Sequence, residues 1–190
     1  MFIQTETTPN PTTLKFLPGR VVLEEGRGVE FLDATQAAER SPLAAKLFAI
    51  EGVASVFFGY DFITISKDAS EWQHLKPAIL GIIMEHFTSN SPIMAPIASN
   101  HRQEHEEFFD EKDREAVAVI KELLETRVRP AVANDGGDIS FCGFENGIVY
   151  LNMRGSCAGC PSSTATLKHG IANLLRHFVP EVLDVEAMPQ

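Results

Sequence analysis

Two cysteines in the second half of the chain form its clearest chemical constellation. Cys157 and Cys160 are separated by two residues in the stretch Arg154-Gly-Ser-Cys-Ala-Gly-Cys-Pro-Ser-Ser-Thr164. This spacing lets both sulfur atoms converge on one metal ion or one iron–sulfur cluster, and it also suits a disulfide that opens and closes. The sequence therefore predicts a thiolate site for metal or redox chemistry, with Cys157 and Cys160 as its ligands.

The residues around the pair predict that it lies at the start of a helix. Pro161 suits the first position of a helix, which places Cys160 near the N-cap. A helix N-terminus presents free N–H groups and a positive partial charge, and both stabilise a thiolate or an anionic cluster. Gly155 and Gly159 allow the backbone to fold tightly beside the two sulfurs.

Two enzyme classes also use a reactive residue at such a turn. Thioredoxin-like redox proteins place Cys-x-x-Cys at a helix start, but the strand before Cys157 is expected to belong to a β-hairpin rather than to a parallel βαβ unit. The stretch 155–159 also fits a nucleophile elbow with cysteine in the serine position. His169 and His177, the only histidines that follow, lie within the next predicted helix, so the hydrolase hypothesis is discarded.

The number of cysteines limits how a metal could be bound. The chain has three, whereas a tetrahedral zinc or an iron–sulfur cluster usually takes four thiolates. The third, Cys142, falls in the middle of a predicted strand, where a lone cysteine usually acts as a small buried hydrophobe. The simplest completion is symmetric, with two chains each giving one pair to a shared, exposed and labile site. A thiol redox pair and a structural zinc site remain alternatives.

Composition excludes several partners and suggests a compartment. The 190 residues carry 16 Lys plus Arg against 26 Asp plus Glu, a formal charge of −10, which argues against nucleic acid and against an anionic membrane surface. The longest apolar run, residues 78–84, is too short to span a bilayer. The low cysteine usage favours a reducing compartment, so we expect a cytoplasmic protein, or a mitochondrial-matrix protein whose transit peptide has been removed.

The elements that must position the cysteines can be read from the second half of the chain. A helix marked by apolar residues from Val117 to Val128 is expected to end before Pro130. The turn 134–138 then leads into strand 139–144, and Asn146-Gly147 closes a hairpin with strand 148–153. A second helix and a strand over 182–186 give the order α-β-β-α-β.

The first half predicts a separate domain without cysteines. Its expected elements are a strand over 2–7, a second strand over 15–23 that is interrupted near Pro18-Gly19, and a helix opening at Ser41-Pro42. A hairpin of strands 53–58 and 62–66 and a helix over 72–87 are expected to follow. The fold class is therefore α+β, with two small α/β-sandwich-like domains.

The predicted boundaries are an N-terminal domain at 1–88, a flexible linker at 89–110 and a cluster-binding domain at 111–190. The segment from Thr88 to Asn100 is rich in Ser, Asn and Pro, and an acidic patch follows it. His101 and His105 have the i, i+4 spacing of a possible zinc pair, but in a charged tether they are expected to be solvated.

The stretch 124–182, including residues 127–138 and 155–164, closely resembles the C-terminal domain of NifU-like (Nfu-type) iron–sulfur proteins. The first half is similar to the N-terminal domain of Nfu proteins. The segments that carry this second resemblance are Phe2–Pro11, Ser41–Ala44, Phe57-Phe58, Asp61–Thr64 and Trp72–Pro77.

The resemblance implies a non-enzymatic scaffold or carrier. It implies a [4Fe-4S] cluster shared between the Cys157 and Cys160 of two subunits, whereas the cysteine spacing alone would also allow a [2Fe-2S] cluster or zinc. It further implies transfer of the cluster to iron–sulfur apo-proteins, contacts with the cluster-assembly machinery, and a homodimer when loaded. The N-terminal domain, which offers no chemistry of its own, is then expected to recognise clients.

Charged residues near the pair have more than one interpretation. Asp135 and Asp138, with two glycines between them, could suggest a cation site, but these residues more simply build the turn before a strand. Arg127 and Arg129 could stabilise an anionic cluster or steer an acidic partner, but a helix C-terminus also favours cations through its dipole. Arg154 is nearer to the thiolates. It either acts on them electrostatically or has no such role.

Overall fold

Nine strands in two separate sheets run through residues 2–24, 27–96 and 107–188, the residues that the computed structural model describes. They belong to two units, one on either side of the segment 97–106. None of the helices in these ranges is long and apolar enough to cross a membrane. His101 and His105, with most of the predicted linker, lie outside the described residues.

The first unit is built on a five-stranded antiparallel sheet with the order β1-β2-β5-β4-β3. Its strands are β1 (Gln4–Thr7), β2 (Thr13–Leu17), β3 (Val29–Phe31), β4 (Val53–Phe58) and β5 (Ile63–Lys67). Phe16, Phe31 and Phe58 are fully buried in its core, and the rings of Phe31 and Phe58 meet edge to face with centroids 5.4 Å apart.

Three helices complete this unit: α1 (Ala34–Arg40), α2 (Pro42–Phe48) and α3 (Trp72–Thr88). The Ser41 hydroxyl accepts a hydrogen bond from the Ala44 N–H at 3.0 Å, so this residue caps α2 as its sequence predicts. The hairpin β4–β5 and the long helix α3 are likewise confirmed. β3 and α1 were not predicted, because β3 has only three residues and α1 lacks a regular apolar stripe.

The second unit contains a four-stranded sheet with the order β6-β7-β8-β9. Its strands are β6 (Phe108–Phe109), β7 (Gly137–Glu145), β8 (Ile148–Gly155) and β9 (Asp184–Ala187). β7 and β8 form the predicted hairpin, closed by Asn146 and Gly147 with φ of 52° and 80°. The expected order of helices and strands is confirmed, with the unpredicted β6 added in front.

A single extra residue in β7 decides which of its side chains enter the core. Pairing with β8 shifts by one between Phe141 and Gly143, which leaves Cys142 as a β-bulge. Phe141 and Phe144, three residues apart, would lie on opposite faces of a regular strand, yet both belong to the buried core. The bulge therefore lets both aromatic rings contribute to one hydrophobic cluster.

The helix before this sheet continues through the proline that was expected to end it. It runs from α4 (Arg114–Leu123) through a π-helical segment (Leu124–Val128) into α5 (Arg129–Asn134). Pro130 has no N–H to donate, and its ring would clash with the carbonyl one α-turn earlier. The wider π turn, in which the Arg129 N–H bonds to the Leu124 carbonyl, relieves that clash and keeps the helix intact.

The helix α6 (Pro161–Phe178) connects β8 to β9, and these two strands pair in parallel. The cysteine pair therefore lies at the start of a crossover helix in a βαβ unit. The expectation that its preceding strand would belong only to a hairpin is wrong, because β8 pairs with β7 on one side and with β9 on the other. Topology thus no longer argues against a redox pair.

Both ends of the predicted linker 89–110 contact the folded units, where a flexible tether was expected. On the N-terminal side the Ser41 hydroxyl donates to the Ile93 carbonyl at 2.5 Å, and the Ala95 N–H donates to the Arg40 carbonyl at 2.8 Å. On the other side β6 pairs in parallel with β7, and Lys121 forms a 2.8 Å ion pair with Glu107.

Gly143 leaves the space that the β6 aromatic ring occupies. A Cβ at this position would lie 2.4 to 2.5 Å from three carbons of the Phe108 ring, which itself packs on Tyr150 at a centroid distance of 5.3 Å. We expect Gly143→Ala to displace the ring and to lower the free energy of unfolding by about 1–2 kcal/mol, measured by denaturant titration.

Two further variants test this explanation. Phe108→Ala removes the same contact, so its effect and that of Gly143→Ala should be less than additive. Gly170→Ala on α6, where a Cβ would meet nothing within 4 Å, should instead stabilise by about 0.5–1 kcal/mol. Wild-type stability in Gly143→Ala would contradict the proposed steric role.

Candidate functional site

The two predicted ligands lie on the loop that joins β8 to α6. Gly155 and Gly159 have φ of 66° and 81°, a backbone conformation that side-chain-bearing residues rarely adopt, so the glycines allow this tight path. Cys160 is the N-cap of α6, and Pro161 is the first helical residue, as the sequence predicts. The Thr164 hydroxyl donates to the Cys157 carbonyl at 3.0 Å and fixes the loop to the first turn of the helix.

Cys157 is the inner member of the pair, since only 7% of its surface is exposed and it joins the hydrophobic core of its unit. It rests where the turn at 135–136 leads into Gly137, the first residue of β7. A Cβ on Gly137 would lie 2.7 Å from the Cys157 sulfur and 2.8 Å from the Arg154 carbonyl oxygen. Only glycine therefore allows the turn to approach Cys157 so closely.

Hydrogen bonds from Ser156 hold the same turn against the loop. Its N–H donates to the Gly136 carbonyl at 3.2 Å, and its hydroxyl donates to the Asp135 carbonyl. The strand register adds to this, since Gly137 pairs with Gly155 at the open end of the hairpin. Cys157 is consequently seated between its own loop and residues 135–138.

Burial governs the protonation of Cys157. Desolvation raises the pKa of its thiol to about 11, and the nearby carboxylates of Asp135 and Asp138 add to the increase, while the Ser156 hydroxyl opposes it. In the metal-free chain this residue therefore keeps its proton at neutral pH. Binding of a metal there must release that proton, because the thiolate is the ligand.

Cys160 is the outer member of the pair. It is partly exposed, and its sulfur lies 3.4 Å from the Ser162 hydroxyl oxygen. The side chain makes no capping hydrogen bond, and the first turn of α6 carries no acidic residue. The positive end of this helix therefore remains available to an anion bound by the two sulfurs.

The structure separates the arginines that sequence reasoning treated together. Arg129 binds Asp138 through its Nε at 2.9 Å and Glu125 through its Nη1 at 2.6 Å, whereas the Arg127 guanidinium lies 5.4 Å above the Phe178 ring. The helix-dipole explanation for both is wrong, since the helix does not end there. Burial by itself lowers the pKa of Arg129, but its hydrogen bonds to the two carboxylates more than offset this, so the pKa is raised.

Asp135 lies in the predicted turn, whereas Asp138 is the second residue of β7, so the expectation that both build the turn is correct only for Asp135. Asp138 is 7% exposed and lies opposite Arg154 in the β7–β8 pairing. The contact of Gly137 with Cys157 was missed by sequence reasoning. The Asp-Gly-Gly-Asp stretch was a signal for it, because two adjacent glycines indicate that something approaches the backbone closely.

The described residues hold only half of a four-thiolate site. Cys142, the β-bulge residue, is 4% exposed and buried as predicted, with its sulfur 3.9 Å from the Ser140 carbonyl oxygen. Across the described ranges 2–24, 27–96 and 107–188, no group of three or more His, Cys, Asp and Glu side chains could hold a metal ion. Cys157 and Cys160 thus provide two sulfur donors without a nearby third ligand among these residues.

Fold and site together define an α+β protein, as predicted, that presents a cysteine pair at the N-terminus of a crossover helix, as thiolate metal sites and thiol redox centres do.

Comparison with known proteins identifies the family. Residues 3–90 match the family model described as "Scaffold protein Nfu/NifU N terminal", and residues 120–186 match the "NifU-like domain". The chain therefore belongs to the Nfu/NifU-like family, with an Nfu N-terminal domain followed by a NifU-like domain.

Curated relatives show the same two-domain similarity. The chain is 53% identical over 187 residues to the "NFU1 iron-sulfur cluster scaffold homolog, mitochondrial" of Drosophila ananassae, covering 98% of this chain and 64% of that protein. The Drosophila virilis protein of the same name is also 53% identical, with 98% and 61% covered. The chain thus spans less than two thirds of the length of these relatives.

Among solved structures, the NifU-like protein from Saccharomyces cerevisiae is 27% identical. The match covers 51% of this chain and 87% of that chain, with a TM-score of 0.47.

The unequal burial of the two thiols has a direct chemical consequence. Alkylation by iodoacetamide requires the thiolate, and the Cys157 thiol has a pKa of about 11. Near neutral pH the rate of Cys157 alkylation should therefore be lower than that of Cys160 by a factor of about ten or more. The Cys157 rate should keep increasing as the pH rises towards 11.

These rates can be measured by mass spectrometry on the metal-free Cys157→Ser and Cys160→Ser variants, each of which retains one thiol of the pair. Cys142, buried within β7, serves as the internal unreactive control. Equal rates for the two thiols at neutral pH would contradict the assignment of Cys157 as the inner ligand.

Proposed function

We propose that this protein carries an iron–sulfur cluster, a [4Fe-4S] cluster, held between the Cys157 and Cys160 of two copies, and delivers it to iron–sulfur apo-proteins. The cluster is the cargo of this process, and the protein catalyses no covalent reaction on a substrate. The choice of a four-iron cluster over a two-iron cluster or zinc rests on the resemblance to Nfu-type proteins.

One observation carries the proposal: two thiols share one loop at a helix N-terminus, with no third ligand near them among the described residues. A four-iron cluster normally takes four thiolates. A second copy related by a two-fold axis would supply the missing two, with the same residues on both sides. Because Cys160 is partly exposed, a cluster bound there can contact the second chain.

The residues of one chain would divide the work of holding the cluster. Cys157, seated against Gly137, would provide the inner ligand and release its proton when iron binds. Cys160 would provide the outer ligand. The N–H groups in the first turn of α6, which follows directly after Cys160 in the sequence, would offset the negative charge of the cluster.

Transfer would then proceed by ligand exchange. A thiolate of the acceptor protein bonds to an iron atom and the Cys160 thiolate leaves, so that the number of iron–sulfur bonds is unchanged. Cys160 would be displaced before Cys157, because an incoming thiolate can reach the iron atom on the exposed, Cys160 side from solvent. Each departing thiolate takes up a proton from water, and Cys157 does so most readily because of its high pKa.

The burial of Cys157 favours this carrier over a thiol redox protein. Redox pairs of the Cys-x-x-Cys type work through a thiolate stabilised at neutral pH, with a lowered pKa. Here the first cysteine is buried and its pKa is raised to about 11. Because the pair lies in a βαβ unit, it is the burial of Cys157 and not the topology that weighs against the redox alternative.

For the rest of the chain, we propose that the Nfu N-terminal domain recognises clients or the assembly machinery, and that residues between the two domains act as a tether. The relatives are named as iron–sulfur cluster scaffold homologs, which supports apo-proteins as partners. Their names also state "mitochondrial", which favours the matrix alternative over the cytoplasmic location that the composition suggests.

The central test is anaerobic reconstitution of the full chain with iron and sulfide. We expect a broad visible absorption band and about one four-iron cluster per two chains, with the dimer dissociating when a chelator removes the iron. Cys157→Ala and Cys160→Ala should each abolish cluster binding with the fold retained. Cys142→Ala is the matched control and should bind as the wild type does.

Each departure from this result has a definite meaning. A cluster-loaded monomer would overturn the shared site, and loss of the cluster in Cys142→Ala would overturn the ligand assignment. Failure to bind iron, together with measurable reduction of a protein disulfide, would establish the redox alternative instead. Stoichiometric zinc in the purified dimer would indicate a structural metal site.

The role of the N-terminal domain can be tested separately. A chain lacking residues 1–88 should hold the cluster with unchanged stoichiometry, because both ligands lie in the other domain. Its transfer of the cluster to several apo four-iron proteins should be slower than that of the full chain. If transfer to every acceptor keeps its full rate, the domain does not recognise clients.

A further inference from the structure

Arg129 forms ion pairs with two carboxylates, Asp138 and Glu125. Its Nε donates to Asp138 Oδ1 at 2.9 Å and its Nη2 to Asp138 Oδ2 at 3.4 Å, while its Nη1 donates to Glu125 at 2.6 Å. The Asp138 side chain is 10% exposed and that of Arg129 25%. A carboxylate so deeply buried needs a charged partner, and this arginine supplies one.

The backbone geometry explains how the arginine reaches this position. It is the first residue of α5, immediately after the π-helical segment that Pro130 requires. Arg127, two residues earlier, contacts the Phe178 ring instead. The π turn therefore separates two similar arginines: Arg129 binds Asp138 at the start of β7, and Arg127 lies over the Phe178 ring.

Asp138 is connected to Cys157 by a short series of contacts. It follows Gly137, whose backbone lies against the Cys157 sulfur, and Gly136, whose carbonyl accepts from the Ser156 N–H at 3.2 Å. Fixing Asp138 therefore fixes the surface on which Cys157 rests. The Ser156 hydroxyl, which donates to the Asp135 carbonyl, joins the loop to the same stretch.

We propose that Arg129 is a positioning residue of the cluster site, which holds residues 135–138 in place through Asp138 and thereby sets the orientation of Cys157. The inference rests on the proposed function, because it assigns a purpose to the position of Cys157. The planar guanidinium of Arg129 makes two parallel hydrogen bonds to the Asp138 carboxylate, and these fix the orientation of that carboxylate. The compact charge of a lysine ammonium would not fix it.

The test compares three full-length variants with the wild type. Arg129→Gln removes the charge and the paired hydrogen bonds to Asp138, and Arg129→Lys retains the charge without the planar guanidinium. Arg127→Gln is the matched control, with the same loss of charge two residues away. In the cluster-free chain, NMR hydrogen exchange of the Ser156 amide reports directly on the turn. In the reconstituted dimer, visible circular dichroism and the rate of cluster loss to a chelator report on the ligands.

We expect Ser156 to exchange about tenfold faster in Arg129→Gln, with an altered dichroism spectrum and faster cluster loss. Arg129→Lys should fall between this variant and the wild type, and Arg127→Gln should match the wild type in all three measurements. Adding Asp138→Asn to Arg129→Gln should change little more, because both act on one interaction.

The inference is overturned if Arg129→Gln and Arg127→Gln give the same Ser156 exchange rate. It is equally overturned if exchange accelerates while the dichroism spectrum and the cluster lifetime stay at wild-type values. Should Arg129→Gln fail to fold, Arg129→Lys decides the comparison in the same way. If no chain, including the wild type, binds a cluster, the proposed function fails, whereas the exchange data still decide whether Arg129 holds the turn.

Discussion

The register of the β7–β8 hairpin is the constraint on which the cysteine site depends. The Asn146-Gly147 turn closes one end, and pairing along the two strands brings Gly137 opposite Gly155 at the other. A shift of one residue in the pairing would move each side chain of the shifted strand to the opposite face of the sheet. With the observed register, the residues before β7 and the loop after β8 meet, and Cys157 is enclosed between them. The bulge at Cys142 belongs to this register, because it allows both aromatic rings of β7 to enter the core and so secures the pairing.

This arrangement makes the two cysteines of one motif chemically unequal. Cys157 belongs to the packed interior and has a raised pKa, while Cys160 lies at the exposed start of α6. In the proposed carrier, this difference would let one cysteine resist ligand exchange while the other admits it. The unequal thiols also weaken the redox alternative more directly than topology does. A nucleophilic cysteine needs an accessible thiolate, and burial in an apolar core disfavours the charged form.

Local signals in the sequence predicted much of the fold for identifiable reasons. Ser41 before Pro42 predicted a capped helix, and Asn146-Gly147 predicted a hairpin, because these residues satisfy backbone requirements that depend on immediate neighbours. The elements that were not predicted depend on contacts with residues far away in the sequence. The two-residue strand β6 exists because Phe108 fits over Gly143, far away in the sequence. The helix expected to end before Pro130 continues, because a π turn absorbs the defect and the apolar side chains around it remain buried in the core.

For the site, the sequence by itself determined that Cys157 and Cys160 share a short loop at the start of a helix, since spacing and Pro161 are local properties. It also determined that one chain offers only two closely spaced thiols. The tertiary structure alone decided that Cys157 is the buried member, that Gly137 lies against it, and that Arg129 rather than Arg127 pairs with Asp138. The physical reason is that backbone conformation follows from neighbouring residues, whereas burial and charge pairing depend on which distant segments the strand pairing and the core bring into contact.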